Sequence, residues 1–154
     1  MPYLVSMSRF LAIVTAQCEY AICALCELAL DAPGASVRSP DLANRLGVPT
    51  ASMEQVMVRL RRHGFVRSFR GATGGYALAR AAESITVGEV LAAFLPTHDG
   101  GRPAVADLPV RRAVRESLER LEVGFTRLSG QATIRQLVDD CRQRDDVMAL
   151  MPGL

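Results

Sequence analysis

The chain has 154 residues, of which 49% are hydrophobic and 22% are charged, a composition typical of one folded domain with a substantial core. Its net charge of +2 hides an uneven distribution: residues 36–80 hold eight arginines against two acids, whereas residues 81–154 hold nine arginines against eleven acids. The basic segment indicates a local site for a polyanion. No apolar window reaches about 18 residues, which argues against a membrane span.

The cysteines and the first residues indicate a reducing cytoplasm. Three of the four cysteines fall within nine residues of one helical pattern, which is unlike a disulfide framework. The apolar run FLAIV near the start is too short for the hydrophobic region of a secretory signal, and no small-residue cleavage site follows it. We therefore expect a cytoplasmic protein.

The stretch TAQCEYAICALCELAL predicts the first helix. It carries a helical period, and Thr15 is placed to cap its N-terminus before the sequence DAPGAS ends it. Four residues fall on one apolar stripe at about 100° per residue: Cys18, Ile22, Leu25 and Ala29.

Two shorter helices follow, and their spacing is typical of a helix-turn-helix. In SPDLANRLGV, Ser39 is expected to cap the helix, Pro40 suits its first position and Gly47 is expected to end it. After two further residues, Thr50 is expected to cap the helix ASMEQVMVRLRRHG. Helices joined by such a tight glycine-containing turn place the second one as a recognition helix.

The second of these helices has two distinct faces by its 3.6-residue period. The apolar side consists of Met53, Val56, Met57 and Leu60, and the opposite side of Ser52, Gln55, Arg59 and Arg62. A solvated polar face on an ordinary amphipathic helix is the alternative interpretation, and the neighbouring segments weigh against it.

A glycine-rich hairpin is predicted directly after this helix. FVRSF alternates as a strand, YALA can return as its partner, and RGATGG forms the tip between them. Such a hairpin is a wing, whose glycines permit close approach to a groove and whose Arg70 suits the negative potential of a DNA minor groove. A nucleotide-binding loop is disfavoured because it would need a helix after the glycines.

The segment from SPDLANRLGV to ITVGEVLAAF resembles the IscR/NsrR/CymR family of bacterial winged-helix transcription regulators. The wing RGATGGYALAR and the following ITVGEVL carry the resemblance most specifically, and EYAICALCELAL and TIRQLVDD extend it over about residues 15–140. The resemblance implies a homodimer on palindromic promoter DNA, with recognition helices in the major groove and wing arginines in the minor groove. The expected DNA-binding residues are Ser39, Thr50, Ser52, Gln55, Arg59, Arg62, Arg70, Gly71, Gly74 and Gly75.

A long helix, PVRRAVRESLERLEVGFTRL, is predicted from Pro109 to Leu128, where SG is expected to stop it. Its apolar residues recur at heptad-like spacing, and the family resemblance places the dimer interface on this helix. The expected dimerisation residues are Val114, Leu118, Leu121 and Phe125. Packing on its own domain is the alternative. Thr133 is then expected to cap a last helix through IRQLVDDC.

The resemblance fails at the iron–sulfur site. Cluster-binding members of the family carry three close cysteines in the loop before the long helix, whereas this loop, LPTHDGGRPAVADLP, has none. We therefore expect no cluster, no other cofactor and no metal site. The favoured interpretation of Cys18, Cys23 and Cys26 is that they are small buried hydrophobic side chains. The alternatives are redox sensing by Cys23, Cys26 or Cys141, and metal or cluster binding with ligands shared across a dimer.

The predicted fold is mainly α with a small β hairpin: a winged helix-turn-helix with a long C-terminal dimerisation helix. The predicted division is a DNA-binding domain in residues 1–95, a linker in 96–108 and a helical dimerisation region in 109–154. We predict that the protein is a transcription regulator that binds double-stranded DNA and acts as a repressor. No association with membranes is expected. A regulator that works by docking on a partner protein is the alternative. No pattern of nucleophile and base indicates an enzyme.

Overall fold

The computed structural model describes residues 16–31, 34–94 and 109–149. Six α-helices, one short 3-10 helix (Ala82–Ser84) and one antiparallel hairpin make up this part of the chain. The helices are α1 (Ala16–Leu30), α2 (Ser39–Leu46), α3 (Thr50–Arg62), α4 (Val87–Phe94), α5 (Pro109–Gln131) and α6 (Ile134–Ala149), and the strands are β1 (Val66–Phe69) and β2 (Gly75–Leu78). The mainly helical fold with a small hairpin is therefore confirmed. None of the described helices is both long and apolar enough to cross a membrane.

Helices α2 and α3 form the predicted helix-turn-helix. Gly47 ends α2 in the left-handed conformation, at a φ of 65°, and its N–H group bonds back to the carbonyls of the last turn. The N-terminal caps of both helices differ from those that the sequence predicted. Ser39 and Thr50 are the first helical residues, and the flanking Arg38 and Pro49 take the cap positions without a side-chain cap bond. Ser39 is instead buried, because its helix packs on the core from its first residue.

The hydrophobic core lies where α1, α2, α3 and α4 meet. All four apolar residues predicted on α3, Met53, Val56, Met57 and Leu60, are buried in it. On α1 the predicted stripe is rotated towards Ala21, Ala24 and Leu28: Cys18 and Leu25 are fully buried, whereas Ile22 and Ala29 lie at the edge of the core. The predicted cap of α1, Thr15, lies outside the described residues.

The wing is a two-stranded hairpin to which Val37, just before α2, adds an isolated β-bridge. Strands β1 and β2 pair antiparallel, with Phe69 opposite Gly75. Val37 then exchanges two backbone hydrogen bonds with Tyr76, of 2.9 and 2.8 Å. A Cβ atom on Gly75 would lie 2.7 Å from the Val37 backbone, so this close approach requires glycine. The wing is therefore attached to the start of the helix-turn-helix.

Helices α4 and α6 begin side by side, each with a reciprocal capping box. In the first, the backbone N–H of Thr86 donates to the Glu89 carboxylate and the Glu89 N–H donates to the Thr86 hydroxyl. In the second, Thr133 and Gln136 make the same exchange, which confirms the predicted cap at Thr133.

The two helix starts are joined by backbone hydrogen bonds. The N–H of Val87 donates to the carbonyl of Ala132 at 2.8 Å, and the N–H of Ile134 donates to that of Ile85 at 2.9 Å. Because Ile134 and Val138 are also buried in the core cluster, α6 is part of the winged-helix core. The end of α5 is therefore fixed to the winged-helix unit.

Helix α5 is longer than the sequence indicated. The expected stop at Ser129 and Gly130 is wrong, since the helix continues to Gln131. The hydroxyl of Ser129 donates to the carbonyl of Phe125 at 2.8 Å, so this residue is accommodated inside the helix. A Cβ atom on Gly88 would lie 2.9 Å from that hydroxyl oxygen, which shows how closely α4 and α5 pack here. Helix α6 likewise extends past the predicted residue 141.

Candidate nucleic-acid interface

The exposed face of α3 is available to a large ligand. Gln55 and Arg62 are exposed, as predicted, and so are three residues outside the predicted set: Ala51, Glu54 and Val58. These residues share a groove of about 540 Å³ with Gln17 of α1 and with Arg59. Glu54 could have been predicted from its position next to Gln55 on the helix. Its carboxylate can accept a hydrogen bond from a cytosine amino group.

Ser52 and Arg59 do not lie on the exposed face as fully as predicted, since both are half-buried. The Nε atom of Arg59 donates to the backbone carbonyl of Ala93 at 3.0 Å, and the guanidinium lies 4.7 Å from the centre of the Phe94 ring. The helical period predicted that Arg59 lies opposite the buried side of α3. It could not show that the C-terminal end of α4 lies beside Arg59. Much of its hydrogen-bonding capacity is therefore used within the protein.

The wing tip lies at the predicted position in the sequence, between Phe69 and Gly75. Arg70 and Gly71 are exposed, whereas Gly74 and Gly75 are half-buried. Gly71 has a φ of +100°, and Gly74 donates its N–H to the Gly71 carbonyl at 2.9 Å. The glycines at 74 and 75 thus serve the internal packing of the wing, and Arg70 and Gly71 form its accessible tip.

The base of the wing is held by a second arginine. Arg80 donates to the Ser84 carbonyl and to the Glu89 carboxylate, both at 2.9 Å, and its guanidinium lies 5.3 Å from the centre of the Phe65 ring. The pKa of Glu89 is lowered, first by its hydrogen bond from the Thr86 backbone and further by Arg80. This arginine therefore fixes the wing to α4 and is less available than Arg70.

The apolar residues of α5 are largely exposed in this chain. Val114, Leu118 and Leu121 are 53%, 55% and 69% exposed, whereas Phe125 is half-buried and packs against the core cluster. Leu128 continues the same heptad spacing and is 70% exposed. The described part of α5 has no buried residue at all, although the helix is 23 residues long.

The four cysteines differ in burial. Cys18 is buried, Cys23 and Cys26 are half-buried and Cys141 is exposed. Burial raises the pKa of the Cys26 thiol to about 12, and burial, Glu19 and Glu27 together raise the pKa of Cys23. Within residues 16–31, 34–94 and 109–149, no three His, Cys, Asp or Glu side chains come together to hold a metal ion.

These elements match a model of the Rrf2 family, described as an iron-dependent transcriptional regulator, over residues 14–140. The chain belongs to the Rrf2 family of transcriptional regulators. The predicted family and winged-helix fold are therefore confirmed, as is the prediction of a regulator class rather than an enzyme. The iron in the family's description has no matching donor set in the described residues, and residues 95–108 contain no cysteine.

Known Rrf2 relatives agree with this assignment. The HTH-type transcriptional regulator IscR of Escherichia coli K12 is 38% identical over 89 residues, which cover 58% of this chain and 55% of that protein. The chain thus matches about half the length of these curated relatives. The structure of T. potens IscR aligns with a TM-score of 0.68 and 25% identity, covering 91% of this chain and 92% of that one.

A second solved structure supports the fold. CymR, the global cysteine regulator of B. subtilis, aligns with a TM-score of 0.67 over 81% of this chain and 95% of that one. At 24% identity this similarity shows the shared fold alone.

Proposed function

We propose that this Rrf2-family chain is a transcription repressor that binds palindromic promoter DNA as a homodimer in the cytoplasm. The observation that carries the proposal is the combination of an exposed recognition-helix face with an exposed arginine at the wing tip. Gln55, Glu54 and Arg62 lie on that face, and Arg70 tips the wing. A winged helix-turn-helix uses such a pair to contact the major and the minor groove together.

Dimerisation through α5 supports binding to two half-sites. The uncovered stripe of Val114, Leu118, Leu121 and Leu128 follows a heptad spacing, which is the pattern that packs two helices together. The backbone bonds between Ile85–Val87 and Ala132–Ile134 connect this helix rigidly to the winged domain. A symmetric pair of such protomers presents two recognition helices in a fixed relation, as a palindrome requires.

Regulation proceeds without an iron–sulfur cluster held by the linker. Thiolates are the usual protein ligands of such clusters. The linker supplies no cysteine, and the raised pKa values of Cys23 and Cys26 oppose thiolate formation. Anaerobic purification followed by absorbance and iron analysis tests this part, and a brown protein with stoichiometric iron and sulfide would overturn it.

The function itself is tested by recovering the DNA bound to the protein in its own cell and sequencing it. The proposal predicts fragments that share an inverted repeat within promoter regions. Arg70→Ala should then weaken binding to that duplex by about 1–3 kcal/mol if its guanidinium enters the minor groove. Recovery of a stable partner protein, with no enrichment of any DNA, would favour the docking alternative instead.

A further inference from the structure

A cleft of about 740 Å³ separates the wing tip from the segment that leads into α2. Arg38 and Asp41 line it from the α2 side, and Phe69, Arg70 and residues 72–74 line it from the wing. Two arginines thus face the same cleft against one carboxylate. This excess of positive charge favours an anionic ligand.

The two walls are fixed relative to each other. The Ser36 hydroxyl donates to the carbonyl of Thr73 at 2.7 Å, and Val37 pairs with Tyr76 through two backbone bonds. The wing tip is therefore tied to the residues immediately before Arg38. A cleft held open in this way is preorganised, so a ligand need not order the loop first.

Arg38 is oriented but keeps donors available. Its Nε donates to Asp41 Oδ2 at 2.9 Å and its Nη2 lies 3.4 Å from Oδ1. The side chain remains 66% exposed, and in the described residues its Nη1 makes no bond. Asp41 thus fixes the plane of the guanidinium, which still presents N–H groups to the cleft.

The start of α2 beside Arg38 adds to this charge. No side chain caps the N-terminus of this helix. The first helix of a helix-turn-helix crosses the DNA backbone, and positive charge there meets phosphate rather than base edges. Arg38 was outside the predicted set of DNA-binding residues because it precedes α2 and the sequence does not show that the wing folds against it.

We propose that this cleft is a clamp for a DNA backbone phosphate, which Arg38 contacts from the helix-turn-helix side and Arg70 from the wing side. The inference rests on the proposed DNA-binding function and deepens it. It assigns to Arg38 a contact that strengthens binding to every duplex and positions the wing. Base selection stays with the exposed face of α3.

The test compares Arg38→Ala with Arg45→Ala, which removes the same charge from the far end of α2. Arg45 is engaged by Asp31 at 2.9 Å and by Glu27 at 3.5 Å, away from the cleft. Fluorescence anisotropy of the recovered duplex and of a scrambled duplex is measured over a range of salt concentrations. Thermal melts confirm that both variants fold, and Arg38→Gln serves as a second variant that keeps a polar side chain.

The clamp predicts that Arg38→Ala weakens binding to both duplexes by the same factor, roughly fivefold to tenfold at 0.1 M salt. The slope of log K against log salt should fall by about 0.9, the value for one lost phosphate contact, whereas Arg45→Ala should leave it unchanged. Equal slopes for wild type, Arg38→Ala and Arg38→Gln would overturn the clamp, as would an equal change in Arg45→Ala.

Two further results separate this inference from its alternatives. If inorganic phosphate replaces chloride at constant ionic strength and weakens DNA binding equally in wild type and Arg38→Ala, free phosphate does not compete with DNA for this cleft and the clamp is contradicted. If wild type binds no duplex at all, the proposed function fails, and that failure is visible without any variant.

Discussion

Arg59 of the recognition helix donates a hydrogen bond from Nε to the backbone carbonyl of Ala93, at 3.0 Å. Ala93 lies in the last turn of α4, where backbone carbonyls have no partner within the helix. The same guanidinium lies over the ring of Phe94, the last residue of α4. Arg59 therefore joins the end of the recognition helix to the point where the chain enters the segment 95–108.

Arg59→Ala should accordingly reduce the stability of the fold. Losing a part-buried hydrogen bond from a charged donor costs about 1–2 kcal/mol, which lowers the Tm by roughly 2–8 °C in a chain of this size. Arg62→Ala is the matched control, since Arg62 is exposed one turn further along the helix. Thermal melts of both variants should show the loss in Arg59→Ala alone, and equal melting temperatures would contradict the role of this contact.

The stripe on α5 should be the contact between protomers. Leu118→Glu places a charge in that stripe at a cost on the order of several kcal/mol for the dimer. Light scattering should then report monomers and anisotropy should report weakened DNA binding. Val123→Glu is the control, because Val123 is 68% exposed on the same helix but off the heptad spacing. Monomeric wild type at micromolar concentration would refute the assignment.

The capping box at the start of α4 should make the free energy of unfolding depend on pH in the acidic range. The Thr86 backbone bond and Arg80 lower the pKa of Glu89 in the folded state. The stability that Glu89 contributes is therefore present above its unfolded pKa of about 4.3 and is lost as the pH falls through the lower folded value. Urea unfolding between pH 7 and pH 3 measures this loss.

Two substitutions separate the charge of Glu89 from its capping role. Glu89→Ala should cost about 1 kcal/mol at pH 7 through loss of the cap. Glu89→Gln should keep the cap and flatten the acid dependence. If the stability of Glu89→Gln falls with decreasing pH as steeply as that of wild type, the effect comes from other carboxylates.

The thiols should differ in reactivity. Because the pKa of Cys26 is raised to about 12 and that of Cys23 is also raised, both are protonated at neutral pH and react slowly. Cys141 is exposed and should react first with Ellman's reagent at pH 7.5. Cys141→Ser should remove that fast phase. A fast phase that persists in Cys141→Ser would instead support the redox alternative for Cys23 or Cys26.

The sequence predicted the elements of this fold well where the signal is local. Three features depend on neighbouring residues alone: the helical period of α3, the helix end at Gly47 and the glycine-rich tip of the wing. All three have the predicted structure. The end of α5 was misplaced for a local reason as well: serine and glycine usually stop a helix. Here Ser129 bonds back to Phe125, and the close packing on Gly88 keeps the helix intact.

The candidate site was harder to predict because it depends on contacts between distant segments. Arg59 and Ala93 are 34 positions apart, and Ser36 and Thr73 are 37 apart. Neither contact follows from a period or a motif. The sequence therefore placed Arg59 on an open face and omitted Arg38, although both residues belong to well-predicted segments. Glu54, by contrast, follows from the same period that identified Gln55.

The central claim, that this Rrf2-family chain binds duplex DNA through its recognition helix and wing, is tested most directly by one titration. The recovered duplex, labelled with a fluorophore, is titrated with wild-type protein at several salt concentrations while anisotropy is followed. The account predicts saturation at two protomers per duplex and a log K that falls linearly with log salt, as phosphate contacts release counterions. Binding that does not saturate, or that is insensitive to salt, would contradict it.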